Sequence, residues 1–340
     1  MTNQKLKKYP NNSIKKNLKE LLGNILLNHT VWILVVIISI TAIVLIPIFG
    51  TRRNLFNIII QMIPMGMPIY GEALCLMTGF FDLSLESTYA VAPIIGVLII
   101  KWAPDFPGIV YIGIAMVMIT GIFIGLINGF LSVKLRINPF LVTLCMMLIL
   151  RGLCLFLIPQ GIFNLPKAFV FLGSYKILNN TLPISILFLI IVVIVLNWML
   201  IKKPFGRHLL AVGSNERAAY LAGIKTERIK ITVFAMAGML AALGGFIASG
   251  RQNSVLSAMG AGNMVLFFAG AILGGVSLQG GIGSIIGVLG GIFLLQITSN
   301  IITLSRINPY LIQVVHGCIL LIAILMQSFR TKLIEFTKLL

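Results

Sequence analysis

A chain of 340 residues that is 59% hydrophobic and only 10% charged carries about 200 apolar residues, roughly ten membrane-spanning helices at about 20 residues each. A soluble globule, in which about a quarter of residues are charged, is excluded. The excess of 26 Lys and Arg over 8 Asp and Glu, a formal charge of +18, would suggest nucleic acid in a soluble protein, but here the positive-inside bias of membrane proteins explains it and no nucleic-acid partner is expected.

The first 30 residues are polar and basic, with Lys5, Lys7, Lys8, Lys15, Lys16 and Lys19. An uncharged apolar run follows at 31–49, and 19 residues at 1.5 Å each cover about 28 Å, enough to cross the hydrocarbon core. This run exceeds a signal-peptide core and is followed by Gly50, Thr51, Arg52 and Arg53 instead of an A-x-A site, so it reads as an uncleaved first helix. Further spans are expected at 55–79, 85–101, 108–132, 139–158, 183–201, 230–250, 263–280, 282–304 and 308–328, bounded by charge, Pro, Asn or Gly-rich turns. The Gly-rich stretch 273–283 leaves open one span plus a re-entrant piece. The expected fold class is thus an all-α polytopic membrane protein of about ten transmembrane helices. A cytoplasmic basic tail (1–30) precedes a transmembrane domain (31–328) containing a polar loop (202–230), and a cytoplasmic tail (329–340) follows. Cys75, Cys145, Cys154 and Cys318 lie in apolar runs without ligand spacing; they read as packing residues, with no metal site.

Ten spans place both termini on one side. With that side cytoplasmic, the inner segments carry 18 Lys and Arg and the outer ones 7, with Arg151 inside a span, as the positive-inside rule requires. An internal repeat supports the same parity. Residues 121–141 (GIFIGLINGFLSVKLRINPFL) align without gaps to 291–311 (GIFLLQITSNIITLSRINPYL) with nine identities in 21 positions. Arg136 then falls inside and Arg306 outside, so this is an inverted-topology repeat of the kind common in transporters.

Residues 202–230 are too polar for the membrane and too short for a domain. Ser214 or Asn215 can cap a short helix, Glu216 would sit in its first turn, and Gly223 suits the left-handed residue that ends it. Ala218, Ala219 and Ala222 give that helix a small face. Two turns are not stable alone in water, so the segment is either an ordinary basic loop or a docking helix packed on its own membrane domain, a partner or both. Within the spans, Glu72 and Arg151 each cost about 2.5–3.5 kcal/mol if unpaired at a helix centre, and a pair between them across the second and fifth spans would leave no net charge at depth. Asp82 and Ser84 can cap the helix starting near Leu85. Gln61, Asn128, Thr143, Gln296, Asn300 and His316 either line a hydrophilic path or join helices.

Gly213, Glu216, Ala218, Ala219, Gly223 and Ile224 resemble the coupling-helix motif of ABC importer permeases. G-F-F-D-L-S-L-E-S (79–87), R-I-N-P-F-L-V-T-L followed by Arg151 and Gly152, and G-A-I-L-G-G-V-S-L-Q-G-G-I-G-S (270–284) resemble, in order, the permeases for ribose and other simple sugars. Glu86 stands where that family usually has Gly, and Glu72 where it has an apolar residue. The resemblance covers about residues 50–328. It implies a permease subunit of the bacterial inner membrane that catalyses no covalent chemistry and pairs with a second permease. A cytoplasmic ABC ATPase would dock on Ser214, Asn215, Glu216, Arg217, Ala218, Ala219, Gly223 and Ile224, and an extracytoplasmic sugar-binding protein would deliver solute. No G-x-x-x-x-G-K-[ST] occurs in the chain, so ATP and Mg would bind the partner and no cofactor this chain. Gln61, Glu72, Asp82, Asn128, Arg151, Gln296 and Asn300 are the candidate translocation-path residues. The rival expectations are a proton-driven secondary transporter with Glu72 and Asp82 as carriers, or a permease of the same superfamily for nucleosides, amino acids or a signalling sugar.

Overall fold

The computed structural model describes residues 30–177, 182–306, 308, 311–322 and 324–325; the expected basic tails therefore lie outside the described residues. Among the described residues, seven helices are long and apolar enough to cross a membrane: α2 (Arg52–Met77), α3 (Leu85–Trp102), α4 (Ile109–Gly129, continued by a π-turn at Phe130–Lys134), α5 (Pro139–Leu157), α7 (Ile184–Lys202), α10 (Thr226–Gln252) and α12 (Ile285–Leu304). Three shorter apolar helices, α1 (Thr30–Leu45), α11 (Met264–Leu273) and α13 (Leu311–Ile322), fall on the first, eighth and tenth expected spans. The remaining helices, α6 (Lys167–Ser174), α8 (Pro204–Ser214) and α9 (Glu216–Leu221), lie in the connections. Among the described residues strand pairing is confined to two antiparallel ribbons, Ile162–Phe163 with Ser254–Val255 and Lys176–Ile177 with Leu182–Pro183.

Local chemistry sets the helix ends. The Thr51 side chain accepts from Asn54 N at the start of α2, Asn138 accepts from Phe140 N with Pro139 opening α5, and Ser284 accepts from Gly287 N at α12. The eighth expected span is corrected. Its apolar run yields a ten-residue helix, about 15 Å long and half a bilayer core, because Gly274 and Gly275 end it and Gly275, Gly280 and Gly281 adopt left-handed angles. The chain then turns back into α12, which matches the re-entrant alternative.

α2, α3, α4 and α10 form the core. Glycines let the backbones close on one another: a Cβ at Gly125 would lie 2.1 Å from Phe234 O, and one at Gly245 would lie 1.8 Å from Tyr89 O, so α10 meets α4 and α3 at distances no larger residue allows. α5 and α7 instead expose Leu148, Ile149, Phe156, Ile191, Ile194 and Trp198, the surface expected of helices facing lipid.

The repeat is visible in the backbone. α10 runs antiparallel to α2, since Gly71 faces Ala237 while Gly244 faces Pro64. Lys134 pairs with Glu227 at the start of α10, and Asn300 bonds Asn54 at the start of α2, so Arg136 and Arg306 sit at opposite ends of the bundle. Both carry the same unusual residue geometry: Arg136 and Arg306 each have φ of 56°, a left-handed conformation uncommon for a long side chain. Gly121 and Gly291, the first residues of the two copies, serve alike, with Cβ positions 2.4 Å from Gly238 O and 2.2 Å from Gly270 O.

Candidate functional site: two buried acidic centres and a short helix beside them

Residues 78–84 turn back from α2 into α3 and build the first centre. Asp82 N donates to Glu72 Oε2 at 3.3 Å, and Asp82 Oδ1 accepts from Ser84 N (3.0 Å), Ser84 Oγ (2.6 Å) and Asn128 Nδ2 (3.3 Å). Asn128 Nδ2 also donates to Ser84 Oγ at 2.8 Å. All four residues are buried. The expected cap at α3 is divided differently from the sequence reading: the Ser84 side chain makes no capping bond to the helix, and the Asp82 carboxylate takes the Ser84 N–H in a two-residue side-chain turn.

The second centre corrects the expected partner of Arg151. Its Nη2 meets Glu86 Oε1 at 3.2 Å, not Glu72, and its Nη1 donates to Ser257 O (2.8 Å) and Met259 O (3.1 Å). Glu86 Oε2 accepts from Met264 N at 3.0 Å, where the positive N-terminal end of α11 favours a carboxylate. α3, α5, the 257–264 loop and α11 are thus tied at one point. Glu72 is buried more deeply, 1% exposed against 8% for Glu86, and is held by the Asp82 N–H instead of by an arginine.

The other expected path residues pair across helices. Gln296 Nε2 donates to Gln61 Oε1 (3.0 Å), Gln61 Nε2 donates to Asn57 Oδ1 (3.0 Å), and Asn300 and Asn54 exchange amide bonds of 2.9 and 3.0 Å. This ladder joins α12 to α2, with Ser299 and His316 Nε2 3.0 Å apart beyond it. Thr143 Oγ1 returns to Pro139 O within its own helix. Sequence reasoning missed Asn54 as the partner of Asn300 and Glu86 as the partner of Arg151. Neither lies at a helical spacing from its partner; the departure from Gly at Glu86 was the one available signal.

The polar loop forms α8 and α9. Asn215 Oδ1 accepts from Ala218 N at 2.9 Å, which makes Asn215 and not Ser214 the cap, and Gly223, with φ of 84°, ends the turn as expected. Of the expected alanine face, Ala219 is buried and Ala218 and Ala222 are exposed, as are Tyr220 and Leu221. Glu216 bonds the buried Lys230 of α10 at 2.5 Å, and the Lys230 ammonium stands 4.3 Å from the centre of the Phe80 ring. On the other flank, a Cβ at Gly213 would lie 1.9 Å from Met77 O and 2.5 Å from Gly281 N, and Gly281 N itself donates to Met77 O at 2.9 Å. α8 is therefore seated on the turn leaving α2 and on the turn between α11 and α12, and α9, which follows it directly, is tied to α10. At the far end of α2 a cavity of about 860 Å³ is lined by Arg52, Arg53, Asn54, Phe56, Asn57 and Lys176 among others.

Residues 54–324 match the family model described as the branched-chain amino acid transport system permease component. The chain belongs to that family. It is 33% identical over 298 residues to the L-arabinose transport system permease protein AraH of Escherichia coli, covering 87% of this chain and 89% of that protein. The ribose import permease protein RbsC of Bacillus subtilis is 32% identical over 301 residues (87% and 90%), and that of Escherichia coli 31% over 300 residues (87% and 91%). No solved structure matches the chain. Family membership and the seven long apolar helices make this a multi-pass membrane permease. The fold class read from the sequence holds.

Proposed function

We propose that this chain is the membrane subunit of an ATP-driven importer of a simple sugar, most closely of the pentose kind named for its relatives, and that it is worked by an ATPase on another chain. The observation that carries the reading is the seating of α9. Its cap, its Glu216 bond to Lys230 and its exposed Tyr220 and Leu221 make it a short, rigid projection with an unpartnered apolar tip, coupled through Gly213, Met77 and Gly281 to both turns that close the bundle. A push there reaches α2, α3, α11 and α12 together. The partner shifts the balance between inward- and outward-open packings by binding them with different strength.

The 18-to-7 distribution of Lys and Arg supports a cytoplasmic α9 and cytoplasmic termini in the bacterial inner membrane. The cavity at the other end of α2 then opens to the outside. Guanidinium, ammonium and amide groups line it beside Ile48, Phe56 and Ile60, where a binding protein would hand over solute. A second permease, identical or homologous, would complete the pore, and ATP and Mg would sit on the ATPase.

The test is reconstitution of the full chain in liposomes with its ATPase and binding protein, followed by uptake of labelled arabinose and ribose. Accumulation that requires ATP is expected. Uptake by the chain alone under a pH gradient would establish the proton-driven alternative instead. Capture of the ATPase by Gly223→Pro should fall at least tenfold, since Pro cannot adopt the left-handed angle that ends α9; equal capture would remove the docking role.

A further inference from the structure

Glu72 and Asp82 are 1% and 2% exposed, and among the described residues every ion pair is made by other acids: Glu86 with Arg151, Glu216 with Lys230, Glu227 with Lys134. Buried carboxylates without a cation are costly. The donors present are unevenly placed. Three hydrogen bonds converge on Asp82 Oδ1, and one reaches Glu72 Oε2. Glu72 Oε1, Asp82 Oδ2 and the amide oxygen of Asn128, a residue 0% exposed, have no hydrogen-bond partner. The amide is the independent sign. Its nitrogen is engaged by Asp82 and Ser84, so the side chain is fixed in the cluster while its carbonyl, an acceptor with two lone pairs, is left without a donor.

We propose that Glu72, Asp82 and Asn128 bind a hard monovalent cation of the alkali-metal class. An all-oxygen donor set selects hard cations over transition metals. The charge selects a single positive unit: three donors at Asp82 Oδ1 and the positive N-terminal end of α3 offset about one carboxylate, which leaves one negative charge and the three unpartnered oxygens for the ion. A divalent ion would leave a surplus positive charge at this depth, which a buried site in the membrane disfavours. The ion would lock the α2–α3 turn to α4. Phe80, two residues from Asp82, lies under the Lys230 ammonium that holds Glu216 of α9, so the bound ion would set how firmly the seat of α9 is held. The site depends on neither the transported solute nor the ATPase, so its test stands apart from that of the proposed function.

The experiment is thermal unfolding of the purified full chain in detergent, titrated with sodium, potassium and lithium chloride against choline chloride at constant ionic strength, with magnesium and calcium in parallel. A saturable rise of about 2–5 °C with an alkali cation is expected, and Glu72→Gln and Asn128→Ala should each abolish it. No saturable rise with any alkali cation, or a response to the divalent ions alone, overturns the proposal. So does an undiminished rise in both variants. Should neither variant fold, equilibrium binding of radioactive sodium, potassium or rubidium to the wild-type chain decides: about one site per chain supports the proposal, and no site overturns it.

Discussion

The two acidic centres begin within one turn of each other at the start of α3 and solve the same problem in opposite ways. Glu86 faces an arginine and the amino end of a half-helix, and both its oxygens are engaged. Glu72 and Asp82 meet backbone, hydroxyl and amide donors at one oxygen each, and the other oxygen of each has no hydrogen-bond partner. A carboxylate at depth is stable when its charge is matched and its lone pairs are filled; the Glu86–Arg151 centre meets both conditions with protein alone. The lesson is one of division. The completed centre ties four segments together, while the incomplete one, beside the seat of α9, is the one whose occupancy can change.

Breaking the completed centre should have the largest effect. Arg151→Ala leaves Glu86 without its cation and strips Ser257 O and Met259 O of their donor, so a loss of about 3–5 kcal/mol is expected. It would be seen as a lowered unfolding temperature in detergent and reduced chain in the membrane. Glu86→Gln keeps an acceptor for Met264 N and should cost less, and the double variant should be less unstable than the sum of the two. If Arg151→Ala unfolds within about 1 kcal/mol of wild type, the contrast between the centres fails.

Much of the fold was legible because apolar length and charge-bounded runs are direct consequences of a lipid solvent. Among the described residues the ten expected spans fall on seven long and three shorter apolar helices, and the R-I-N-P repeat reappears as matching angles at Arg136 and Arg306. The coupling segment was legible for a local reason: a cap, an acidic first turn and a terminal glycine are contiguous chemistry. The acidic centres were not. Glu72 and Arg151 were the charges that stood out in apolar runs, but which acid an arginine reaches is fixed by how α3 and α5 lie together, and Glu86 stood out only as a departure from the family's usual Gly. The short α11 was ambiguous because apolar composition does not reveal where paired glycines will stop a helix.

An intermediate effect should follow from wedging the seat of α9. Gly213→Val places a branched side chain against Met77 O and Gly281 N, and overpacking of this kind costs about 1–3 kcal/mol. Because the contact joins α8 to the turns closing both α2 and α11, ATP-dependent uptake should fall far more than the amount of folded chain. Equal losses in both would mean that the contact is packing alone and that the acidic centre beside it is not connected to α9.

The smallest effect separates polar groups that hold helices together from groups that solute touches. Gln61 and Gln296 satisfy each other between α2 and α12, so Gln61→Leu alone strands an amide and should cost about 0.6–2 kcal/mol. Replacing both with Leu removes the unpaired group and should restore most of the unfolding temperature, since two apolar side chains of similar size pack where two amides met. If the pair serves only to join helices, uptake in the double variant follows stability and recovers with it. A double variant that folds like wild type but transports less than about a tenth as much would place this ladder on the solute path. It would also show that a polar group with a complete set of protein partners can still be exchanged during the cycle, which would remove the distinction between filled and unfilled centres as a guide to which parts of the bundle move.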